Sequence, residues 1–217
     1  MIDRILPPAV RWSHTFDDRD DPLFPEELAL VSRAVEKRRA EFTTVRACAR
    51  DALAALGHPP VPLLPGQRGA PVWPRGIVGS MTHCAGYRAA VVARGDEIAL
   101  LGIDAEPHAA LPDGVLETIA RPEERTSLAA LPTAGGVAWD RLLFSAKETV
   151  YKAWFPVTRT WLDFDEASID LSPDGTFTAR VLIPGFTPSG ERLTGFHGRW
   201  LVDRGIVVTC IAMPGVR

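Results

Sequence analysis

The spacing of apolar residues changes period several times along the chain, and the order of those changes constrains the fold more than any single motif. From Pro25 to Gly57 apolar side chains recur at helical intervals: Leu28, Val31, Ala34 and Val35, then Val45, Cys48, Ala49 and Ala52. Pro25 suits a first helical turn and Gly57 a C-terminal cap, so the spacing predicts two helices or one bent helix. Residues 1–25, rich in Pro and Asp, read as loop, as does the Pro/Gly stretch that follows Gly57. Three short apolar segments come next, Ile77 to Thr82, Tyr87 to Ala93 and Ile98 to Ala105, separated by turn-like residues. They predict an antiparallel meander. Residues 112–152 return to helical character, with Pro122-Glu123-Glu124 as a helix start, and Pro156 predicts the end of the last helix. The final third predicts two hairpins, the first turning at Asp174-Gly175. Runs of helix and strand without strict alternation predict an α+β fold. The halves 1–102 and 103–217 repeat a similar order of elements and meet near Gly102, without a residue-level repeat.

Composition narrows the function classes. The chain has 217 residues, which suits one large domain or two small packed ones, and 46% are hydrophobic, which excludes global disorder. A formal net charge of −3 offers no electrostatic case for nucleic acid or an anionic membrane as a partner. No apolar run approaches the ~20 residues of a membrane span. The N-terminus lacks a basic start followed by an apolar core, so no secretory signal is expected. The odd set Cys48, Cys84 and Cys210 argues against a disulfide framework. These features predict a cytoplasmic protein.

Four groups of residues carry possible chemistry. In Leu100-Leu101-Gly102-Ile103-Asp104-Ala105-Glu106, strand alternation puts Gly102, Asp104 and Glu106 on one face. Two carboxylates that close repel unless a cation stands between them, and a hard divalent ion such as Mg²⁺ takes such oxygens. A solvated strand end paired to surface cations is the alternative. In residues 142–156, Ala146, Val150 and Ala153 form an apolar helix face, and Lys147 and Glu148 lie near Tyr151 and Lys152. An ordinary amphipathic helix would read the same way. His83 follows a strand and precedes a small-residue turn, which would present its ring at a sheet end; a structural or exposed histidine is the alternative. Arg38, Arg46 and Arg68 are cations upstream; a solvated helix face would also account for the first two.

Together the segments Thr82-His83, Gly102-Ile103-Asp104-Ala105-Glu106 and Phe144-Ser145-Ala146-Lys147-Glu148-Thr149-Val150-Tyr151-Lys152 resemble the motifs of the 4'-phosphopantetheinyl transferases of the surfactin- and enterobactin-synthetase-activating type. Thr149 departs from the usual Ala or Ser. The motif core runs from about Ile77 to Pro156, and the chain length resembles that of the monomeric, double-module branch. The resemblance implies two similar α+β halves related by pseudo-two-fold symmetry, with an active site in the cleft between them. It implies coenzyme A as substrate and Mg²⁺, or Mn²⁺, as metal. It implies transfer of the phosphopantetheine arm to a serine of an apo acyl, aryl or peptidyl carrier protein, releasing adenosine 3',5'-bisphosphate. Carried over by motif, Asp104, Glu106 and Glu148 hold the metal and Lys152 binds a phosphate. Thr82 and His83 lie at the 3'-phosphate of coenzyme A, joined by Arg46, Arg38 and Arg68. Lys147, Tyr151 and Trp161 belong to the cofactor-binding set, the last two lining the pantetheine channel; plain core is the alternative for Trp161. The base for the serine is Glu148 or a water on the metal. Fatty-acid, polyketide, nonribosomal-peptide and siderophore carriers all remain open. A non-catalytic coenzyme A-binding module and a Mg²⁺-dependent diphosphate hydrolase are the rival functions.

Overall fold

The computed structural model describes residues 1–215. After a short 3-10 turn at Ile2–Ile5 the order is β1 (Arg11–Thr15), α1 (Pro25–Val31), α2 (Glu36–Ala54), β2 (Ile77–Cys84), β3 (Tyr87–Arg94) and β4 (Ile98–Pro107). Then come α3 (Val115–Ile119), α4 (Pro122–Ala130), α5 (Trp139–Thr158), β5 (Ala167–Ser172), β6 (Thr176–Val181), β7 (Gly195–Asp203) and β8 (Ile206–Pro214). The strands form two sheets, β1-β3-β2 and β4-β8-β7-β6-β5. The α+β class therefore holds, and both predicted hairpins are present as β5–β6 and β7–β8. Arg204 and Gly205 close the second in left-handed conformation (φ 50° and 73°), as a two-residue hairpin turn between right-twisting strands requires.

Four local expectations change. The first 25 residues contain β1, which pairs with β3 from Arg11↔Val92 to Thr15↔Arg88. Its polar outer face hides it from an apolar-pattern reading. The predicted meander stops after two strands. β3 has β1 on one edge and β2 on the other, so β4 has no free edge there and pairs with β8 instead. The helix breaks between α1 and α2, and the apolar spacing there does not mark the buried face: Val31 is buried but Leu28 and Val35 are exposed. Pro156 does not end α5, which runs on to Thr158 and closes at Arg159 in left-handed conformation.

Each sheet receives one long helix. Cys48, Ala49, Ala52 and Leu53 of α2 pack on Ala90 and Val92 of β3, and Leu142, Ala146, Val150 and Ala153 of α5 pack on the five-stranded sheet through Val207 and Ile211. A third apolar cluster joins the sheets, with Tyr87, Ala89 and Val91 meeting Leu101, Ile103, Val208 and Cys210. The outer edge of β4 lies against β2 without a backbone ladder. Two hydroxyls substitute for one: the Ile103 amide donates to Ser80 Oγ (3.1 Å) and the Ala105 amide to Thr82 Oγ1 (3.0 Å). Buried amides need acceptors, so these two side chains satisfy the edge where the sheets meet.

The approach of α5 to β4 is set at Gly102. A Cβ there would lie 2.5 Å from the Thr149 carbonyl oxygen and 3.0 Å from the Ala153 amide nitrogen. Thr149 and Ser145 are tied to β8 through Thr209, whose hydroxyl lies 2.6 Å from Thr149 Oγ1 and 2.9 Å from Ser145 Oγ. Gly102→Ala is therefore expected to lower stability by about 1–3 kcal/mol through overpacking against backbone. Urea unfolding would show it as a lower midpoint at unchanged slope.

Candidate active site

The strand alternation read from the sequence is realised in β4. Leu101, Ile103 and Ala105 enter the cluster between the sheets, while Gly102 lies under α5 and Asp104 points toward it. Lys152 of α5 reaches down to Asp104, with Nζ 2.7 Å from Oδ1. The same carboxylate oxygen accepts from Thr82 Oγ1 at 3.2 Å. Asp104 Oδ2 is buried and has no hydrogen-bond partner. Glu106, further along the same face, is held by Arg141 Nη1 at 3.1 Å; Arg141 also binds the carbonyls of Ala109 and Ala110. Burial, and then the Asp104 charge, push the Glu106 carboxyl above the ordinary glutamate range, against the pull of Arg141. Glu148 is raised too, chiefly by burial; Lys152 opposes the shift and Asp104 adds to it. Asp104 thus acts electrostatically on both Glu106 and Glu148, but each of Asp104 and Glu106 is drawn to its own side-chain cation. Among the described residues no three of His, Cys, Asp and Glu form a ready metal-ligand cluster.

Glu148 and Lys152 line a cavity of about 500 Å³ between α5 and α2, whose other wall carries Arg38, Arg46 and His83. Five of the expected cofactor residues therefore meet there with Lys152: Arg38, Arg46, Arg68, His83 and Tyr151. Arg38 Nη1 lies 3.1 Å from His83 Nε2. Arginine has only donors, so Nε2 accepts and the ring proton sits on Nδ1, 3.7 Å from Glu41. Burial lowers the His83 pKa, aided by Arg38 and Lys152 and opposed by Glu41. The imidazole is neutral at pH 7 and able to gain charge when an anion arrives. A second hollow of about 270 Å³ shares Arg68, Glu148 and Tyr151 with the first and adds Trp161 to its wall. Tyr151 packs edge-on against Trp161, and the Arg68 guanidinium lies 4.6 Å from the Trp161 ring. Trp161 is 45% exposed, so the core alternative does not describe it.

Two expected binding residues lie elsewhere. Lys147 is buried and absent from the larger cavity, and where it borders the smaller hollow its ammonium pairs with Glu124 at 2.8 Å and donates to the carbonyls of Phe164 and Ala167. All three of its donors are engaged, so it clamps the loop after α5 and does not offer a hand to a ligand. Thr82 is buried with its hydroxyl on Asp104 and the β4 edge. Alternation along β2 sends His83 to the cavity and Thr82 to the opposite side. Sequence reasoning missed Arg141 and Glu41, which hold Glu106 and face His83, and also the buried Glu27 and Glu124. Their partners lie far along the chain, and no local spacing marks them. Cys84, near both β4 acids, has its thiol pushed up to about 12 by burial, then by Glu106 and Asp104.

Lys152 is the cation that holds the Glu148 carboxyl down. Lys152→Met should therefore move the Glu148 titration still further above the ordinary range, followed by NMR of its carboxyl carbon. A downward movement would show that the two groups do not share a field.

Comparison with known proteins agrees with this geometry. Residues 26–93 match the family profile described as 4'-phosphopantetheinyl transferase N-terminal domain, and residues 100–208 match that of the 4'-phosphopantetheinyl transferase superfamily. The chain is 59% identical to the 4'-phosphopantetheinyl transferase Svp of Streptomyces mobaraensis, over 98% of this chain and 89% of that protein. It is 54% identical to the 4'-phosphopantetheinyl transferase PptT of Mycobacterium tuberculosis, over 87% of this chain and 85% of the relative. Enterobactin synthase component D of Salmonella typhi is 35% identical over 91% of this chain and 81% of its own length. With these matches spanning both sheets and the site between them, the chain belongs to the 4'-phosphopantetheinyl transferase superfamily.

Proposed function

We propose that the chain transfers the 4'-phosphopantetheine arm of coenzyme A to a serine of an apo acyl, aryl or peptidyl carrier protein, releasing adenosine 3',5'-bisphosphate. The observation that carries the reading is the placing of Glu148 and of Lys152, which is paired with Asp104, on one rim of a cavity whose opposite wall holds Arg38, Arg46 and His83. A ligand with several phosphates matches that charge pattern. The phosphates lie among Arg38, Arg46, His83 and Lys152, and the pantetheine arm enters the smaller hollow by Arg68, Tyr151 and Trp161. The halves 1–102 and 103–217 act as two similar units about a pseudo-two-fold axis, each with a long helix on a sheet. The protein works as a cytoplasmic monomer; among the described residues no helix is long and apolar enough to cross a membrane. Carriers of fatty-acid, polyketide, nonribosomal-peptide and siderophore assembly fit the reading, the last through the enterobactin synthase relatives.

A divalent cation fits the acids. Asp104 Oδ2 is a buried oxygen without a partner, and the carboxyls of Glu106 and Glu148 are both raised, chiefly by burial, with Asp104 adding to each shift. Asp104 and Glu106, with Glu148 from α5, would hold Mg²⁺ or Mn²⁺. When bound, the ion neutralises charge that builds on the diphosphate oxygens. The chain's own residues do the rest. Lys152 binds and orients a phosphate oxygen. The serine Oγ forms a bond to the phosphorus that carries the pantetheine arm. The phosphorus–oxygen bond to the nucleotide breaks, and the electron pair leaves with adenosine 3',5'-bisphosphate. Glu148, the carboxylate on the cavity wall, takes the serine proton.

The test is mass spectrometry of an apo carrier protein after incubation with coenzyme A and Mg²⁺. A gain of the phosphopantetheine mass is expected, slowed by about 10²-fold or more in Glu148→Gln with its circular dichroism unchanged. Coenzyme A binding without a mass gain would indicate a binding module, and coenzyme A cleavage without carrier a hydrolase.

The ion also predicts a pH effect. Glu106 and Glu148 have raised folded-state pKa values, so the folded state holds their protons more tightly than the unfolded chain. Stability from these groups falls as pH rises from the ordinary glutamate range through the raised values. A metal replaces those protons. Mg²⁺ should therefore raise the melting temperature more at about pH 8 than at about pH 5, read by thermal unfolding at both.

A further inference from the structure

Glu27 is a carboxylate with 0% exposure that the transfer step does not use. It stands in the first turn of α1, where Oε2 accepts from the Phe24 amide at 3.1 Å. Oε1 accepts from the Leu63 amide at 2.8 Å. Both oxygens accept from Arg50 Nη1, at 3.1 and 3.0 Å. On its remaining side Arg46 brings Nε to 3.7 Å of Oε1, too long for a hydrogen bond but within reach of strong Coulomb attraction.

Arg46 is the link from this carboxylate to the cavity. Its Nε donates to the Leu63 carbonyl at 3.1 Å, and Leu63 is the residue whose amide Glu27 holds. Its Nη1 reaches the Phe42 carbonyl at 3.5 Å, and the guanidinium carbon lies 3.2 Å from the Phe42 ring centroid. Neither bond uses Nη2, and Arg46 lines the cavity. Burial pulls the Arg46 pKa down to about 10, with Glu27 opposing the fall and Arg38 and Arg50 adding to it. A buried acid therefore fixes both the Leu63 loop and one end of the guanidinium, leaving Nη2 for a ligand. Arg50, by contrast, is bound to Glu27 and the Pro22 carbonyl and is not part of the cavity wall.

We infer that Glu27 is a positioning residue that aims Arg46, through Nε and the Leu63 carbonyl, at the 3'-phosphate of coenzyme A and so sets the preference for coenzyme A over its 3'-dephospho form. The inference rests on the reading that the cavity takes coenzyme A with its 3'-phosphate near Arg46. In Glu27→Gln the carboxylate charge is gone, Arg46 and Arg50 repel each other, and the guanidinium is no longer held in one direction.

The experiment measures kcat and KM of carrier modification with coenzyme A and with 3'-dephospho-coenzyme A, for the wild type, Glu27→Gln and Glu27→Asp. The wild type is expected to prefer coenzyme A. Glu27→Gln should raise KM for coenzyme A by about 10-fold, the scale of one lost charge-assisted contact, with kcat little changed. Its KM for the dephospho form should move far less, so the preference collapses. Glu27→Asp keeps the charge but withdraws it by one methylene; it should show a smaller loss in the same direction, and it carries the test if the glutamine variant does not fold. A variant with a lower melting temperature but an intact preference would overturn the inference and leave Glu27 as an anchor only. A wild type indifferent to the 3'-phosphate would instead overturn the placement of that phosphate at Arg46, and the inference with it.

Discussion

The two sheets are joined by hydroxyls, and the rest of the structure depends on that join. Ser80 and Thr82 accept the β4 amides that a neighbouring strand would otherwise satisfy. They let β4 lie against β2 while its backbone ladder belongs to β8. Thr82 also donates to Asp104, so the seam between the halves and the first acid of the site are one hydrogen-bonded unit. On the next residue of β2, His83 faces the cavity and meets Arg38 of α2. The seam thus delivers a cationic wall from one half and an acidic floor from the other to the same space. Removing either hydroxyl would leave a buried amide unpaired, which costs more than the bond itself contributes.

Buried charge follows one rule throughout the molecule. Asp104 is paired with Lys152, Glu106 with Arg141, Glu124 with Lys147 and Glu27 with Arg50. Isolated charges could not remain ionised at such depths. The pairs differ in what they leave open. Glu124 and Lys147 are closed on each other and on backbone, and their role is to hold α4, α5 and β5 together. The pair in β4 and α5 is not closed, because Asp104 retains an oxygen with no partner. That difference separates a structural ion pair from one that can take part in chemistry.

Much of this was legible in the chain. The α+β order, the face of β4 that carries Asp104 and Glu106, and the apolar stripe of α5 all follow from periodicities that a few neighbouring residues define. So does the pair Glu148 and Lys152, one helical turn apart. What escaped depends on contacts between distant segments. The pairing of β4 with β8 is decided by β1, a strand too polar to be noticed, which occupies the last free edge of β3. Lys147 looks like a ligand because it adjoins Glu148, yet its partner Glu124 sits in another helix with no spacing to announce it. Thr82 and His83 are neighbours that pleating sends to opposite sides. Glu27 has the look of an ordinary acid in a first helical turn, and only the fold brings Leu63, Arg46 and Arg50 around it.

Burial, and then the two β4 carboxylates, push the Cys84 thiol up to about 12. The proposed substrate ends in a sulfhydryl, which in its oxidised, disulfide form can be attacked by a protein thiolate to give a mixed disulfide. A thiol kept protonated by burial and by the β4 acids is a poor nucleophile, which disfavours its capture by the pantetheine tail the enzyme is proposed to deliver.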